Sequence, residues 1–304
     1  MTPVIEARGL VKRYRLVTAV DGLDLAVPGG SVYGLVGPNG AGKTTTLSIL
    51  CGFVRPDAGE ATVLGTPVGE VFRLKGRLSA LPQDALLPPH DPVFESLTFF
   101  GRLLGWDRAK ARVEARRALE LTGMSEWGKA RGGALSHGMA KRVGLAQAFL
   151  GEPELVLLDE PTAGLDPVAA AQVRDLIRSL KGRSTVVISS HNLHEIEELC
   201  DEAAIVSRGR VVQAGSMASI TAANAQVRFV LGREPPLERL RALPTVADAE
   251  WDSERRLLVA RFPDGRYEAE QVIADVLRVL LAENVPVSGV AKGRRLEERV
   301  LEVT

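Results

Sequence analysis

The stretch Gly37–Thr45 combines residue types that bind phosphate. It fits the pattern G-x-x-x-x-G-K-[ST], whose fixed positions are here Gly37, Gly42, Lys43 and Thr44. Glycines let consecutive backbone N–H groups point into one concavity that holds an anion. A lysine at this place reaches the β- and γ-phosphates of a nucleotide, and a threonine hydroxyl binds Mg²⁺. A simple glycine-rich turn is the alternative, and the number of constrained positions disfavours it.

The segments on either side of this loop are those that a phosphate site requires. Val32–Val36 is an apolar run that predicts a buried strand, and Thr46–Cys51 predicts the first turns of a helix. The helix N-terminus adds partial positive charge beside the anion. We therefore predict that the phosphates of a nucleoside triphosphate are held by Gly37, Pro38, Asn39, Gly40, Ala41, Gly42, Lys43, Thr44 and Thr45.

Acidic and imidazole groups follow two further predicted strands. The apolar run Leu155–Leu158 is closed by Asp159 and Glu160, and a β-branched strand, Ser184–Ser189, ends beside His191. Such runs suit parallel strands that are buried on both faces. The polar groups then lie at the carboxyl edge of the sheet, where open α/β sheets bind ligands.

Three short polar residues are predicted to cap helices. Ser136 precedes a helix over Ala140–Leu150, and Asp166 with Pro167 precedes a second one. Asn192 and Glu195 form a loose capping-box pattern for a third.

Composition limits the classes of function. The 304 residues carry no formal net charge, which argues against a broad basic surface for nucleic acid. Two cysteines without metal-type spacing favour reduced thiols in a cytosolic protein. The N-terminus lacks the apolar core of a signal peptide, and no stretch reaches the ~20 apolar residues that span a bilayer. Any membrane function therefore requires another chain.

The remaining chain divides into three parts. The N-terminal part predicts short strands at Val4–Ala7 and Leu23–Val27, with Tyr14 between them. A helical insert interrupts the α/β chain over about 85–134, and Ser216–Ala225 reads as a linker. The part from 226 to 304 predicts the order βαββαβ of a ferredoxin-like α+β domain, followed by a helix at 295–300. This small domain has no cluster of catalytic side chains, so we interpret it as regulatory or docking.

Taken together, these motifs resemble the ATP-binding cassette (ABC) ATPases over residues 3–215. Gly37–Thr44 is similar to the Walker A loop, and Leu155–Asp159 with Glu160 to Walker B and its catalytic glutamate. Gln83 matches the Q-loop, Ala163–Asp166 the D-loop and His191 the switch histidine. Leu135–Met139 matches the signature, although His137 and Met139 replace the family's glycine and glutamine. His137 is either a pH-sensitive group near phosphate or an exposed substitution without effect.

The resemblance implies a fold, a domain division and a set of roles. The fold is an α/β P-loop NTPase with a RecA-like core, an antiparallel β subdomain and a helical insert, over 1–215. Mg²⁺ is implied at Thr44, Gln83 and Asp159, and catalysis at Glu160, His191, Lys43 and Gln83. Ser136 and Gly138 of one copy complete the site of a second copy. Tyr14 taken alone favours a half-buried surface tyrosine, but the resemblance places it as the adenine-stacking aromatic.

The small C-terminal domain with its tail, Leu296–Thr304, resembles ATPases of ABC-2-type exporters. This implies a cytoplasmic ATPase, peripheral on the inner face of the membrane, that forms a homodimer and drives a polytopic permease without binding nucleic acid. Two alternatives stay open. One is a soluble ABC ATPase that acts on nucleic acid or ribosomes, and the other is a nucleotide-gated scaffold without significant hydrolysis.

Overall fold

The chain forms two compact units, which divide between Ser216 and Met217. The computed structural model describes residues 3–85, 87–221, 226–263 and 266–292. The first unit carries all the motifs from Gly37 to His191. The helix predicted at 295–300 and the tail that resembles ABC-2-type ATPases lie outside the described residues.

The first unit contains two sheets and a helical layer. Its strands are β1 (Ile5–Tyr14), β2 (Val17–Val27), β3 (Val32–Val36), β4 (Ala58–Val63), β5 (Thr66–Pro67), β6 (Leu78–Leu81), β7 (Leu155–Asp159), β8 (Thr185–Ser190), β9 (Glu202–Ser207) and β10 (Arg210–Ser216). Its helices are α1 (Lys43–Leu50), α2 (Val93–Leu103), α3 (Arg108–Leu121), α4 (His137–Ala148), α5 (Pro167–Ser179) and α6 (Leu193–Leu199). Short 3₁₀ turns lie at Val68–Leu74, Ser125–Trp127 and Gly132–Ala134.

The larger sheet has the strand order β10-β9-β3-β8-β7-β6. Its neighbours from β9 to β6 run parallel, and β10 returns antiparallel to β9. Every residue of β3, β7 and β8 is buried, which confirms that the apolar runs are strands covered on both faces. The predicted α/β fold is confirmed, and the carboxyl ends of these strands share one edge.

The smaller sheet is antiparallel, with the order β2-β1-β4-β5. The prediction of short strands here was wrong, because β1 and β2 form one long hairpin and Tyr14 ends β1 instead of lying between strands. The register shifts three times along this hairpin, between residues 7 and 13 of β1. Each shift disturbs the alternation of apolar and polar residues, which is the signal that identifies a strand.

The helical layer extends beyond the predicted insert. The core that α2 and α3 form also includes residues of α4, so the signature helix is part of this layer. The buried members of the core are Val93, Leu97, Ala115, Ala118, Leu119, Met124, Val143, Ala146 and Leu150. The helix that begins at the signature therefore shares its core with α2 and α3.

The second unit is a ferredoxin-like α+β domain. Its elements are α7 (Met217–Thr221), β11 (Gln226–Leu231), α8 (Leu237–Arg241), β12 (Asp248–Asp252), β13 (Leu257–Arg261), α9 (Ala269–Ala282) and β14 (Val287–Lys292). The antiparallel sheet has the order β12-β13-β11-β14, as the βαββαβ connectivity requires. Phe229 of β11 and Val276 of α9 are fully buried in its core. Helix α7 occupies part of the stretch predicted as a linker.

Candidate functional site

Three parallel strands bring the sequence motifs to one edge of the larger sheet. The phosphate loop follows β3, Glu160 follows β7, and His191 follows β8, which lies between the other two. In register, Val36 is opposite Ser190, and Asp159 is opposite Ser189. The sheet itself thus places a phosphate loop, two carboxylates and an imidazole together.

The phosphate loop has room only for glycine at two of its positions. A Cβ on Gly37 would lie 2.1 Å from the carbonyl oxygen of Val206. Gly42 has φ of +104°, and a Cβ there would lie 2.3 Å from the carbonyl oxygen of Ala19. Helix α1 begins directly after Gly42, at Lys43, three residues earlier than the sequence predicted. Its N-terminal amides therefore belong to the loop.

Lys43 is buried at the base of this loop. Its Nζ donates to the carbonyl oxygens of Gly37 at 2.8 Å and Pro38 at 3.2 Å, and only 6% of the residue is exposed. Burial lowers the pKa of the Lys43 ammonium, and the nearby carboxylates of Glu160 and Asp159 oppose that shift. Because the Lys43 ammonium is largely removed from water and hydrogen-bonded to loop carbonyls, binding of an anion beside it is favoured.

Glu160 connects the lysine to the histidine. Its Oε1 lies 3.8 Å from Lys43 Nζ, and its Oε2 lies 2.9 Å from His191 Nδ1. Because a carboxylate only accepts, Nδ1 donates the hydrogen bond. Glu160 adopts φ of +47°, a left-handed conformation that costs a non-glycine residue about 1–2 kcal/mol. Its N–H donates to Ser189 O at 3.1 Å, which holds this conformation in place.

Asp159 is oriented by the neighbouring strand. It is only 4% exposed, and its Oδ1 accepts a hydrogen bond from the hydroxyl of Ser189. Ser189 was not among the predicted site residues. A serine at the end of a β-branched strand was the available signal, and only the strand register reveals its partner.

Thr44, Gln83 and Asp159 line one cavity of about 330 Å³. They offer a hydroxyl, an amide and a carboxylate, which are the oxygen ligands that Mg²⁺ prefers. The residues predicted for the metal therefore fit a hard divalent cation. Gln83 itself is exposed, on the loop after β6.

Lys141 is a second buried ammonium that sequence reasoning missed. It lies on α4, is only 8% exposed, and its Nζ donates to the carbonyl oxygen of Gln83 at 3.2 Å. Burial lowers the pKa of Lys141, against the opposing influence of Asp159, Asp84 and Glu160. Because Lys141 is next to Arg142 in a predicted helix, the sequence favoured a solvent-exposed position for it. Nothing in the sequence indicated that Lys141 is buried.

The start of α4 is exposed, and Ser136 caps it as predicted. Ser136 Oγ accepts from the N–H of Met139 at 3.3 Å. Gly138 lies near Leu165 and Ala169, and the His137 ring lies beside Gly164. The phosphate loop instead packs on residues 19, 206 and 209, so the two motifs have different neighbours.

Tyr14 ends β1 with its ring accessible. The residue is 45% exposed, and Lys12 Nζ lies 5.6 Å from the ring centroid. An exposed ring with a nearby cation can stack on a planar base. The position of Tyr14 therefore allows the stacking on adenine that the resemblance implies.

Comparisons with known proteins agree with this geometry. A family model described as ABC transporter matches residues 20–163, and one described as AAA domain, putative AbiEii toxin, Type IV TA system matches residues 133–197. The chain is 37% identical to the daunorubicin resistance ATP-binding protein DrrA3 of Streptomyces coeruleorubidus, over 99% of this chain and 95% of that protein. It is 36% identical to the Nod factor export ATP-binding protein I of Ralstonia nicotianae, over 86% and 83% respectively.

A solved structure supports the fold of the first unit. It is a dimeric post-hydrolysis state of the ATP-binding cassette MJ0796 bound to ADP and Pi, with a TM-score of 0.64 and 20% identity, covering 70% of this chain and 98% of that one. None of the helices in the described part of the chain combines the length and apolarity needed to cross a bilayer.

Replacing Lys141 by methionine tests the burial of this ammonium. Lys141→Met keeps most of the volume and removes the desolvated charge, so we expect a higher free energy of unfolding at neutral pH. In the wild type, the unfolded chain binds more protons at Lys141 between the lowered pKa and the ordinary lysine pKa of 10.5. The contribution of Lys141 to wild-type stability therefore becomes more favourable as pH rises through that window, and the advantage of the variant shrinks.

Urea denaturation of both proteins at neutral pH and at about pH 9.5 measures this difference. Lys129→Met, at an exposed lysine, controls for the loss of one positive charge. A wild type that is the more stable protein at neutral pH would contradict the expectation.

Proposed function

Since this chain belongs to the ABC transporter family and is an ATP-hydrolysing subunit of the ABC-2 exporter type, we propose how its own residues perform the reaction. The observation that carries the proposal is the position of Glu160, whose carboxylate lies between the buried Lys43 and His191 at the mouth of the phosphate loop. The sequence prediction of an exporter ATPase is confirmed, and it is favoured over a ribosomal or nucleic-acid ATPase and over a scaffold without hydrolysis.

Phosphoryl transfer to water depends on positioning and on neutralising charge. Lys43 releases the carbonyls of Gly37 and Pro38 and binds the β- and γ-phosphates, together with the amides of the loop. Glu160 then orients the attacking water and takes its proton. His191 donates to Glu160, and because its side chain is more than half exposed beside the carboxylate it would be free to contact the γ-phosphate.

Mg²⁺ is the metal that this site suits. When bound, it neutralises negative charge on the phosphate oxygens. Thr44 would bind it directly, and Gln83 and Asp159 would complete its surroundings from the same cavity. Ser189 fixes the orientation of the Asp159 carboxylate for this role.

Two copies of the chain are proposed to enclose two nucleotides. Ser136 and Gly138 lie at an exposed helix start whose neighbours differ from those of the phosphate loop of the same chain. A two-fold pair would bring this helix start to the loop of the other copy, with the Ser136 hydroxyl and the Gly138 amide at the γ-phosphate. ATP would then bind the two copies together, and hydrolysis would release them.

A permease is proposed to dock beside the site. A groove of about 1220 Å³ runs between the segment after α1, the 3₁₀ turn Val68–Leu74 and Leu104. Phe53 and Phe72 line it with 67% and 68% of each residue exposed. Exposed aromatics in a groove indicate a protein partner. We infer that a short helix of a polytopic membrane subunit binds here, at the cytoplasmic face of the membrane.

The relatives suggest where cargo is chosen. One is named for daunorubicin resistance and another for Nod factor export, two different cargoes with similar ATP-binding proteins. We propose that this chain likewise powers export, and that the permease selects the cargo.

Glu160→Gln tests the assigned base. The amide keeps the shape of the side chain but cannot take a proton, so we expect ATP binding to be kept and turnover to fall by about 10²-fold or more. Phosphate release at saturating Mg²⁺ and ATP measures turnover, and a fluorescent ATP analogue measures binding. Glu126→Gln, at an exposed position, is the control, and Lys43→Ala reports contaminating activity. Turnover of Glu160→Gln equal to that of the wild type would reject the base.

Phe72→Asp tests the docking groove. A carboxylate at this exposed position should prevent an apolar helix from binding, since burying an unpaired charge is costly. We expect the variant to keep the basal ATPase rate in solution and to stop co-purifying with membranes of cells that express it. Val113→Asp, at an apolar position of α3 with 61% of the residue exposed, is the control. If Phe72→Asp co-purified with membranes to the same extent as the wild type, this groove would not be the docking site.

A further inference from the structure

Glu195 is a buried carboxylate that the proposed mechanism does not use. It lies in the first turn of α6 and is only 2% exposed. Its Oε1 accepts from the Thr162 hydroxyl at 2.7 Å, and its Oε2 accepts from the Ser190 hydroxyl at 2.8 Å. The two oxygens of one side chain therefore bind two different loops.

The capping role expected for Glu195 is only half present. Asn192 Oδ1 accepts from the N–H of Glu195 at 3.2 Å, as an N-cap does. In a capping box the Glu195 side chain would return to the N–H of Asn192. That N–H instead donates to Ser190 Oγ at 3.0 Å, which leaves the carboxylate to its two hydroxyl partners. The helix start is satisfied without the Glu195 side chain.

Both partner loops carry groups of the candidate active site. Thr162 lies two residues after Glu160, in the turn closed by the bond from Ala163 N–H to Glu160 O at 3.2 Å. Ser190 directly precedes His191 at the end of β8. Glu195 thus connects the two segments that carry Glu160 and His191. The side chains of Glu160 and His191 lie 2.9 Å apart.

Burial of the Glu195 carboxylate has a free-energy cost that an apolar side chain would not have. A buried carboxylate loses hydration and is retained only when hydrogen bonds replace it. Alanine or leucine at this position of a short helix would avoid that loss. A charged acceptor instead makes bonds about twice as strong as neutral ones, so it fixes both hydroxyls firmly.

We propose that Glu195 is a positioning residue, which ties the Glu160 loop to the His191 loop and so sets the geometry of the base and the switch histidine. The inference rests on the proposed function for its effect on turnover. It also predicts a change in the nucleotide-free protein, where the tie fixes the imidazole of His191 against Glu160.

Steady-state kinetics of three variants and one control variant test the role of Glu195. Glu195→Ala should lower kcat about tenfold or more, the range seen when a partner that orients an active-site group is lost, while KM for ATP changes less than about threefold. Glu195→Gln should recover part of the rate, because its amide oxygen still accepts from Thr162. Thr162→Val removes one hydroxyl at nearly constant volume and should also lower kcat. Glu198→Gln, at a surface ion-paired position of α6, should not.

A double-mutant cycle tests whether Thr162 acts through Glu195 or independently of it. If Thr162 acts through Glu195, the losses in kcat caused by Thr162→Val and Glu195→Ala should not add. Adding Thr162→Val to Glu195→Ala should have no further effect. Full additivity of the separate losses would overturn the tie.

NMR of the histidine rings gives a readout without ATP. The chain has only four histidines, so ring signals of ¹⁵N-histidine protein can be assigned with His191→Gln. Glu195→Ala and Thr162→Val should shift the His191 ring signals, and Glu198→Gln should leave them in place. If the wild type failed to hydrolyse ATP, the proposed function would fail, while these shifts would still support or refute the tie.

Two results would overturn the inference. One is an unchanged kcat in both Glu195→Ala and Thr162→Val. The other is an unshifted His191 signal in both variants, whatever their rates. A fall in kcat at nearly constant KM, together with the His191 shift, would support the proposal.

Discussion

The site depends on one constraint, which is that buried charges need partners. Lys43, Asp159 and Glu160 are each less than 8% exposed, at the carboxyl edge of a parallel sheet. None of them can exchange its partner for bulk water, so each is held by a carbonyl, a hydroxyl or an opposite charge. A triphosphate would offer the Lys43 ammonium a partner of opposite charge.

The order of strands makes this arrangement possible. Because β8 lies between β3 and β7, the loop with His191 is next to both the phosphate loop and the loop with Glu160. Hydroxyls of β8 fix the groups on either side, as Ser189 does for Asp159 and Ser190 does for Glu195. Asp166 and Asn192 then cap the helices that follow the two loops. Both loops therefore lead into a helix with a capped N-terminus.

The sequence predicted the parts of this site that have local signals. The phosphate loop is a contiguous pattern, and Asp159 with Glu160 closes an apolar run, so both could be placed before the fold was known. The roles of Lys141, Ser189 and the Glu195 side chain could not be predicted, because they come from packing across strands and helices that are far apart in sequence. The long hairpin of β1 and β2 was missed for a related reason, since bulges disturb its alternation. Local patterns predict candidate phosphate-binding residues, and only tertiary structure identifies the groups that hold those residues in place.

The central claim is that one copy of this chain carries half of each active site, and that a second copy completes it around ATP. The direct measurement is the rate of ATP hydrolysis per chain, followed over a wide range of protein concentration at saturating Mg²⁺ and ATP. The account predicts a rate per chain that rises in proportion to concentration and then reaches a plateau, as pairing demands. A rate per chain that stays constant down to concentrations at which the protein is demonstrably monomeric would contradict it.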